Sequence, residues 1–356
     1  MRSILPVIHD LTPTTMLERY CWQSSEGQAL LNDIVQKCVP QWTNGLKDGQ
    51  IRAITRILDR EQVVWVAATG EGQNPELCPS FVTKEKPVGI VVTPMKGLAT
   101  NINIADDVIK GVDVVQEISN CKYHIIYVDP AHLKKNKWNQ IASNPTFYCN
   151  IIFACAEEAH LIDEWGNTDF CLDFRYIGVY FHSHLPSNIS FFALSATIEP
   201  RKPTTIICHH LGFREPSFHL IQGSNEHLNT QFIVEPLSHG IGGKNFPQLL
   251  PYLTSGQKTI IHRQMLEAVL DKYNADTLNM LENNQNCQII IATVAFTNGI
   301  SMQMLLDSIS LGLASSLNII WQEKGHAGCN PESLAQGIVL VSPTAIKNAE
   351  KYIEGM

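Results

Sequence analysis

The sequence is short of the features that mark secreted, membrane-spanning and repetitive proteins. Its 356 residues hold no apolar run of about 18 residues, the length that a membrane-spanning helix needs. The first residues show no basic stretch followed by an apolar core, so we expect no secretory signal. Internal repeats and low-complexity tracts are also absent, which excludes a repeat architecture.

The ten cysteines form no CxxC pair. Cys155 lies inside an apolar run, where a reduced cysteine behaves as a small hydrophobic residue, and the scattered pattern suits a reducing compartment. The cluster Cys208, His209 and His210 has no second ligand pair at zinc spacing, so we expect no metal site there.

Length and composition indicate a globular protein of about two domains, with 44% hydrophobic and 17% charged residues. The formal net charge of −8 argues against a generic nucleic-acid coat, which is normally basic. A local basic groove remains compatible with this charge.

The stretch from Ile151 to Gly166 organises the chain. Its apolar start predicts a buried parallel strand, which ends in Glu157 and Glu158, followed shortly by His160. Carboxylates at this end of a parallel strand lie where open α/β sheets bind ligands. One carboxylate can hold a magnesium ion and the next can orient a water molecule for attack on a phosphate. The alternative interpretation is a solvated acidic loop.

A second pattern combines a helix, a strand and a glycine-rich turn. Isoleucine spacing predicts an amphipathic helix from Asp48 to Arg60, and a strand is predicted from Gln62 to Ala68. The turn that follows is typical of loops that cradle phosphate, because glycine permits close approach of the backbone. Further strands are predicted at Val88–Thr93, Tyr123–Val128, Phe191–Thr197, Lys258–Ile261 and Cys287–Ala292, and a helix at Gln264–Lys272.

The turn resembles the Walker A loop of superfamily 2 helicases, and the order of elements resembles the RecQ-type DNA helicases. The resemblance implies that Gln50 reads the adenine of ATP. It also implies that the phosphates lie in a loop formed by Thr69, Gly70, Glu71, Gly72, Gln73 and Asn74. The chain departs from the family because Gln73 replaces the lysine and Asn74 replaces the Ser or Thr that ligates magnesium.

Two further family motifs are the acidic pair itself and a Ser-Ala-Thr sequence later in the chain. Glu157 stands where the family has aspartate, and Glu158 keeps the position of the catalytic glutamate, so the resemblance implies that both hold Mg²⁺. The extra methylene of Glu157 moves its carboxylate outward by about the length of a C–C bond, about 1.5 Å. The Ser-Ala-Thr motif matches fully at residues 195–197.

The resemblance also implies contacts with DNA. Thr93 and Lys96 lie in a segment similar to the backbone-contacting motif Ia, and Thr293 lies in one similar to motif V. Trp165 and Phe170 lie in a segment similar to the aromatic-rich loop and are candidates for base stacking. The alternatives are a solvated loop for the first pair and a core role for the aromatic residues.

The last motif, QEKGHAGCN, resembles motif VI. Gln322 matches the family, whereas His326 and Cys329 replace its two arginines. An arginine at the γ-phosphate contributes a factor of about 10³ to 10⁵ in rate, and histidine lacks its fork of donors. The resemblance implies catalytic roles for Glu158, Gln322 and His326. Because the two arginines are replaced, we predict that ATP hydrolysis is impaired.

The implied fold is α/β, with two tandem RecA-like domains whose sheets are parallel. We predict an N-terminal segment at 1–41, an ATP-binding domain at 42–201 and a shortened second domain at 202–356, with a linker at 199–203. The second domain lacks a strand and a helical segment that the family carries before Tyr273, and no accessory RecQ domain is recognisable.

The implied function is ATP-dependent 3′ to 5′ DNA unwinding in the nucleus, with ATP and Mg²⁺ as cofactors and single-stranded or tailed duplex DNA as partner. No membrane association is expected. The alternative is a non-catalytic DNA- or partner-binding module that keeps the fold. A third interpretation is a decaying gene copy, which the shortened second domain favours.

Overall fold

The computed structural model describes residues 21–40, 42, 44–67, 85–93, 113–164, 172–198, 202–223, 229–240, 246–262, 280–281, 284, 287–292, 304–314, 316–328 and 333–354. The chain forms two compact units. The described residues up to Gly223 lie in unit 1, and those from Asn229 onward lie in unit 2.

Unit 1 is built on a six-stranded parallel sheet with the order β3-β2-β4-β5-β1-β6. The strands are β1 (Gln62–Val66), β2 (Val88–Val92), β3 (Ile125–Val128), β4 (Ile151–Ala156), β5 (Ser190–Ser195) and β6 (Phe218–Gln222). Every residue of β2, β4 and β5 is buried, as expected for central strands that are covered on both faces.

Helices flank this sheet, and apolar clusters fill both of its faces. The helices are α1 (Ser25–Cys38), α2 (Asp48–Leu58), α3 (Val114–Ser119), α4 (Asn136–Ala142), α5 (Pro145–Asn150), α6 (Leu161–Glu164), α7 (Ile177–His184) and α8 (Lys202–Leu211). Short 3₁₀ turns lie at Pro130–His132 and Leu172–Tyr176. One apolar face of α2 packs against β1, while Ile54 on that helix packs against α1.

Unit 2 contains a five-stranded parallel sheet with the order β7-β11-β10-β8-β9. Its strands are β7 (Thr230–Pro236), β8 (Thr259–His262), β9 (Ile289–Ala292), β10 (Asp307–Leu311) and β11 (Ala335–Val341). Its helices are α9 (Leu250–Leu253), α10 (Leu317–Gly325) and α11 (Pro343–Glu354), with a 3₁₀ turn at Pro247–Leu249. Helix α10, which contains the first residues of motif VI, packs on β10 and β11.

Most of the predicted elements that fall on described residues are confirmed, with ends that differ by a few residues. The helix predicted from Asp48 ends at Leu58, and the six strand predictions correspond to β1, β2, β3, β5, β8 and β9. The strand predicted at the acidic stretch is β4. The predicted helix Gln264–Lys272 and the segment around Tyr273 lie outside the described residues.

The predicted linker at 199–203 and the division after residue 201 differ from the structure. Helix α8 begins at Lys202 and packs on α7, and β6 pairs with β1 along its whole length. Residues 202–223 therefore complete the first sheet, and the described chain changes unit between Gly223 and Asn229. The polar, proline-containing composition of the segment misled the prediction, because proline is well tolerated in the first turn of a helix.

Where the chain is described, none of its helices combines the length and the apolar character needed to cross a membrane.

Candidate functional site

Three adjacent strands of unit 1 end at the acidic pair. Strand β4 lies between β2 and β5, and its hydrogen bonding continues past the strand end. The N–H of Glu157 donates to the Val92 carbonyl at 2.9 Å, and the N–H of Ala159 donates to the Leu194 carbonyl at 2.9 Å. The turn that carries Glu157 and Glu158 is thereby fixed to both neighbouring strands, which predefines where its carboxylates lie.

Glu158 adopts a conformation that is uncommon for a residue with a side chain. Its φ is +51°, in the left-handed region. Such conformations cost about 1 to 3 kcal/mol and concentrate at functional sites. Here the fixed turn imposes the conformation, because Glu158 lies between two residues whose N–H groups are bound to different strands.

The Glu158 carboxylate lies in an environment that disfavours negative charge. Only 17% of its side chain is exposed, and its Oε2 atom is buried without a hydrogen bond from the described residues. Burial, together with the nearby charges of Glu157 and Glu164, raises its pKa to about 8. A cation bound to this pair would offset both effects, so the donor set matches the chemistry of Mg²⁺, which prefers carboxylate oxygens.

A buried histidine joins the acidic turn to the end of β5. The Nδ1 atom of His160 lies 3.0 Å from Ser195 Oγ and 3.3 Å from Glu158 Oε2, and only 2% of His160 is exposed. Ser195 Oγ also accepts the N–H of Thr197 at 3.2 Å. His160 of the acidic turn and the Ser-Ala-Thr motif therefore belong to one assembly of buried polar contacts.

Two threonine hydroxyls lie buried at the same edge of the sheet. Thr93 is fully buried after β2, and Thr197 is 5% exposed after β5. The Oγ1 atoms of both have no hydrogen-bond partner among the described residues. Buried polar atoms are normally satisfied, so these hydroxyls and Glu158 Oε2 mark a place where a polar ligand would complete the bonding.

Gln50 has a structural role in addition to the one implied by resemblance. It is 4% exposed, and its Oε1 atom accepts the N–H of Lys47 at 2.8 Å. This contact is half of a capping box at the start of α2. The adenine-reading role of Gln50 remains a prediction.

Several predicted site residues lie outside the described part of the chain. They are Thr69, Gly70, Glu71, Gly72, Gln73 and Asn74 of the phosphate loop, and Lys96, Trp165, Phe170 and Thr293 among the predicted DNA contacts. Their roles remain predictions.

In unit 2, the helix of motif VI is joined to the sheet by a buried polar network. Lys324 is fully buried, and its Nζ donates to the Ser308 carbonyl at 3.0 Å, Ser310 Oγ at 2.7 Å and the Ile338 carbonyl at 2.9 Å. These three acceptors match the three N–H donors of an ammonium group. Glu323 Oε2 accepts from Ser310 Oγ, so both charged side chains meet at one serine.

The pKa directions agree with the burial of this pair. Burial lowers the pKa of Lys324 to about 7, opposed by the charge of Glu323, and burial raises the pKa of Glu323. Gly337 makes room for the lysine, because a Cβ at this position would lie 3.0 Å from Lys324 Cδ. Sequence reasoning missed the network, although the two serines on β10 were a visible signal that one face of this strand is polar.

The side chain of His326 lies inside unit 2. Its ring stacks on His262 with 6.0 Å between centroids and 27° between planes, and 2% of the residue is exposed. Ser308 Oγ donates to the Glu323 carbonyl, so the contact of 3.1 Å between His262 Nε2 and Ser308 Oγ is a bond donated by the histidine. Burial lowers the pKa of His262 well below its usual value, and Lys324 and His326 lower it further. Gln322, the other predicted catalytic residue of the motif, is 6% exposed.

No protein-family model matches the chain. Among curated proteins, it is 22% identical over 318 residues to the ATP-dependent DNA helicase RecQ of Pasteurella multocida, a match covering 79% of this chain and 48% of that protein. It is 24% identical over 321 residues to the ATP-dependent DNA helicase Q1 of Pongo abelii, covering 78% and 48%. The chain thus spans about half the length of these relatives.

Solved structures show the same fold. The DUF1998 helicase MrfA bound to DNA and AMPPNP superposes with a TM-score of 0.62 at 16% identity, covering 92% of this chain and 52% of that one. The Mycobacterium smegmatis helicase Lhr bound to ssDNA and AMP-PNP gives 0.64 at 13% identity, covering 84% and 46%. The chain therefore has the fold of these helicases, with two tandem RecA-like domains. Its sequence is similar to those of RecQ-type helicases.

Proposed function

We propose that this chain is the motor portion of a RecQ-like DNA helicase that binds ATP and DNA and hydrolyses ATP poorly. The observation that carries the proposal is the assembly of Glu158, His160 and Ser195 at the ends of β4 and β5. This assembly links the Glu158 carboxylate, which is suited to phosphate chemistry, to the Ser-Ala-Thr motif at the end of β5. The similarity to RecQ helicases supports the same conclusion.

The residues of the acidic turn have separate roles in this proposal. Glu157 and Glu158 would hold Mg²⁺, which supplies positive charge to the phosphates of ATP when bound. Glu158 would also orient the attacking water, because its left-handed turn and fixed neighbours hold the carboxylate in one place. His160 would keep that carboxylate near Ser195, because its Nδ1 atom lies 3.3 Å from Glu158 Oε2 and 3.0 Å from Ser195 Oγ.

The proposed reduction in ATP hydrolysis comes from replacement of the groups that stabilise the transferred phosphoryl group. Gln73 replaces a cationic lysine, and Cys329 and His326 replace arginines. The ring of His326 stacks on His262 within unit 2 instead of presenting a fork of donors. We therefore propose ATP-driven 3′ to 5′ movement on single-stranded or tailed duplex DNA as the parent activity, in the nucleus, with a strongly reduced rate.

The second candidate is a DNA-binding module without hydrolysis, and the buried stacking of His326 favours it. Binding tests the part that both candidates share. Fluorescence anisotropy with a labelled tailed duplex should show binding that weakens as salt rises. A fluorescent ATP analogue should bind with Mg²⁺, and Glu158→Gln should alter the Mg²⁺ dependence. No salt-dependent DNA binding, together with no nucleotide binding, would overturn the proposal.

A further inference from the structure

A lysine-rich turn follows β3 in unit 1. Lys134, Lys135 and Lys137 occupy three of four successive positions in a chain whose net charge is −8. All three are exposed, and within the described part of the chain no ion pair involves Lys135 or Lys137. This concentration of positive charge is a local exception in an acidic protein.

Lys134 is held in place by two contacts. Its Nζ lies 2.6 Å from Asp173 Oδ1 and 3.7 Å from the centroid of the Tyr176 ring. A cation over an aromatic face is attracted by the ring and loses some of its freedom. The ammonium is therefore preorganised beside the ring, while 53% of the lysine side chain remains exposed.

Three large, partly exposed side chains lie in the 3₁₀ turn and at the start of α7. Leu172, Tyr176 and Val179 are 47%, 49% and 59% exposed. Of these three side chains, the Tyr176 ring contacts Lys134. We call the set of Lys134, Lys135, Lys137 and Tyr176 the lysine–tyrosine surface.

This surface begins at the same edge of the sheet as the acidic turn. The N–H of Thr93 donates to the Val128 carbonyl at 3.0 Å, and Val128 is the last residue of β3. The lysine-rich turn follows β3 after one 3₁₀ turn. Thr93, which follows β2, thus lies between the acidic turn and the start of the surface, because β2 is the strand between β3 and β4.

We propose that the lysine–tyrosine surface binds the phosphodiester backbone of a nucleic-acid strand, with Tyr176 contacting a base. The proposal rests on the proposed function and adds a binding surface to it. Charge complementarity carries the choice of partner. Three exposed ammonium groups, of which only Lys134 is paired with a carboxylate of the described chain, leave a local positive charge that matches a polyanion. The exposed ring adds the sequence-tolerant stacking that single-strand binding proteins use.

The first test removes the charges. The triple variant Lys134→Gln, Lys135→Gln, Lys137→Gln is compared with Lys37→Gln, Lys122→Gln, Lys347→Gln, which makes the same change in net charge at other exposed positions. Anisotropy of a labelled single-stranded oligonucleotide is measured across a salt series. For the first variant we expect the slope of log affinity against log salt to shrink by about 2, at about 0.7 for each phosphate contact. Its affinity at about 0.1 M salt should fall at least tenfold, whereas the control should stay within about twofold.

The second test addresses the ring. Tyr176→Ala should weaken oligonucleotide binding by about fivefold or more, and Tyr176→Phe should retain it. Thermal unfolding of each variant verifies that the fold is kept.

Three results would overturn the proposal. A triple variant with the affinity and slope of the unaltered chain would remove the surface from the binding site while leaving the proposed function intact. No binding by the unaltered chain would overturn both. Displacement by polyglutamate as effective as by unlabelled oligonucleotide, with no effect of Tyr176→Ala, would assign the surface to acidic peptides instead.

Discussion

The Nδ1 atom of His160 lies 3.0 Å from the Oγ atom of Ser195, inside the protein and between the ends of two neighbouring strands. The two residues are 35 positions apart in sequence, so only the parallel pairing of β4 and β5 brings them together. This contact makes the acidic turn and the Ser-Ala-Thr motif dependent on each other.

Ser195→Ala should destabilise unit 1. The change removes the acceptor of the Thr197 N–H and the Oγ atom that lies 3.0 Å from His160 Nδ1. Thr197 and His160 are both buried. Unsatisfied buried groups cost about 1 to 3 kcal/mol each, so urea unfolding should show a loss in that range. Ser143→Ala is the matched control, because the Ser143 hydroxyl donates to the Asn139 and Gln140 carbonyls at an exposed helix end. Equal effects of the two changes would contradict the account.

Lys324→Met should cost far more than removal of an exposed lysine. The change leaves the Glu323 carboxylate buried beside Ser310 without its cation, a situation that costs about 3 to 5 kcal/mol. Lys122→Met breaks an exposed pair with Glu117 and should cost less than about 1 kcal/mol. Chemical denaturation of both variants measures the difference.

A double variant separates the charge of the pair from its packing. In Lys324→Met with Glu323→Gln, no unpaired charge remains, so part of the lost stability should return. A double variant less stable than Lys324→Met alone would show that Glu323 is not the group left unpaired.

Gln50 should affect stability and nucleotide binding separately. Gln50→Ala removes the acceptor of the Lys47 N–H and should cost about 0.5 to 2 kcal/mol in thermal unfolding, the range for a lost helix cap. Gln50→Glu keeps an oxygen for this bond but loses the amide. We expect it to retain more stability than Gln50→Ala and to lose the preference for ATP over GTP. Unchanged preference would remove the adenine-reading role.

The stability contribution of Glu61 should depend on pH. Burial raises the pKa of Glu61, but hydrogen bonds from Gln23 and Arg56 and the charge of His219 outweigh it, so the pKa lies below its usual 4.5. Between the lowered pKa and about pH 4.5, the folded chain therefore binds fewer protons than the unfolded chain. The stabilisation by Glu61 is present above about pH 4.5 and is lost as the pH falls through the lowered pKa. Glu61→Gln should destabilise the protein at neutral pH, and the difference should disappear in acid. A difference that grows in acid would contradict this sign.

Among the strands that the structure describes, the sequence predicted β1 to β5, β8 and β9, because strands buried in a parallel sheet are short apolar runs, as in β4. It did not predict β6, β7, β10 or β11. The sequence also predicted that Glu157 and Glu158 follow β4 at the end where open α/β sheets bind ligands. The end of the first unit was missed because β6 pairs with β1, and its half-exposed residues produce no apolar run.

The buried network around Lys324 could not be predicted for a different reason. A lysine next to a glutamate on a helix usually indicates a solvated face, and only the position of α10 over β10 and β11 turns this lysine inward. The stacking of His326 on His262 likewise depends on two elements that are far apart in sequence.

DNA-stimulated ATP hydrolysis tests the central claim most directly. The unaltered chain is compared with Gln73→Lys, His326→Arg, Cys329→Arg, and each is also measured with Glu158→Gln. Thermal unfolding accompanies the assay because arginine at 326 must fit beside His262. The account predicts that the restored chain hydrolyses ATP at least about 10³-fold faster and that Glu158→Gln abolishes this activity. Equal rates for the restored and unaltered chains, insensitive to Glu158→Gln, would contradict it.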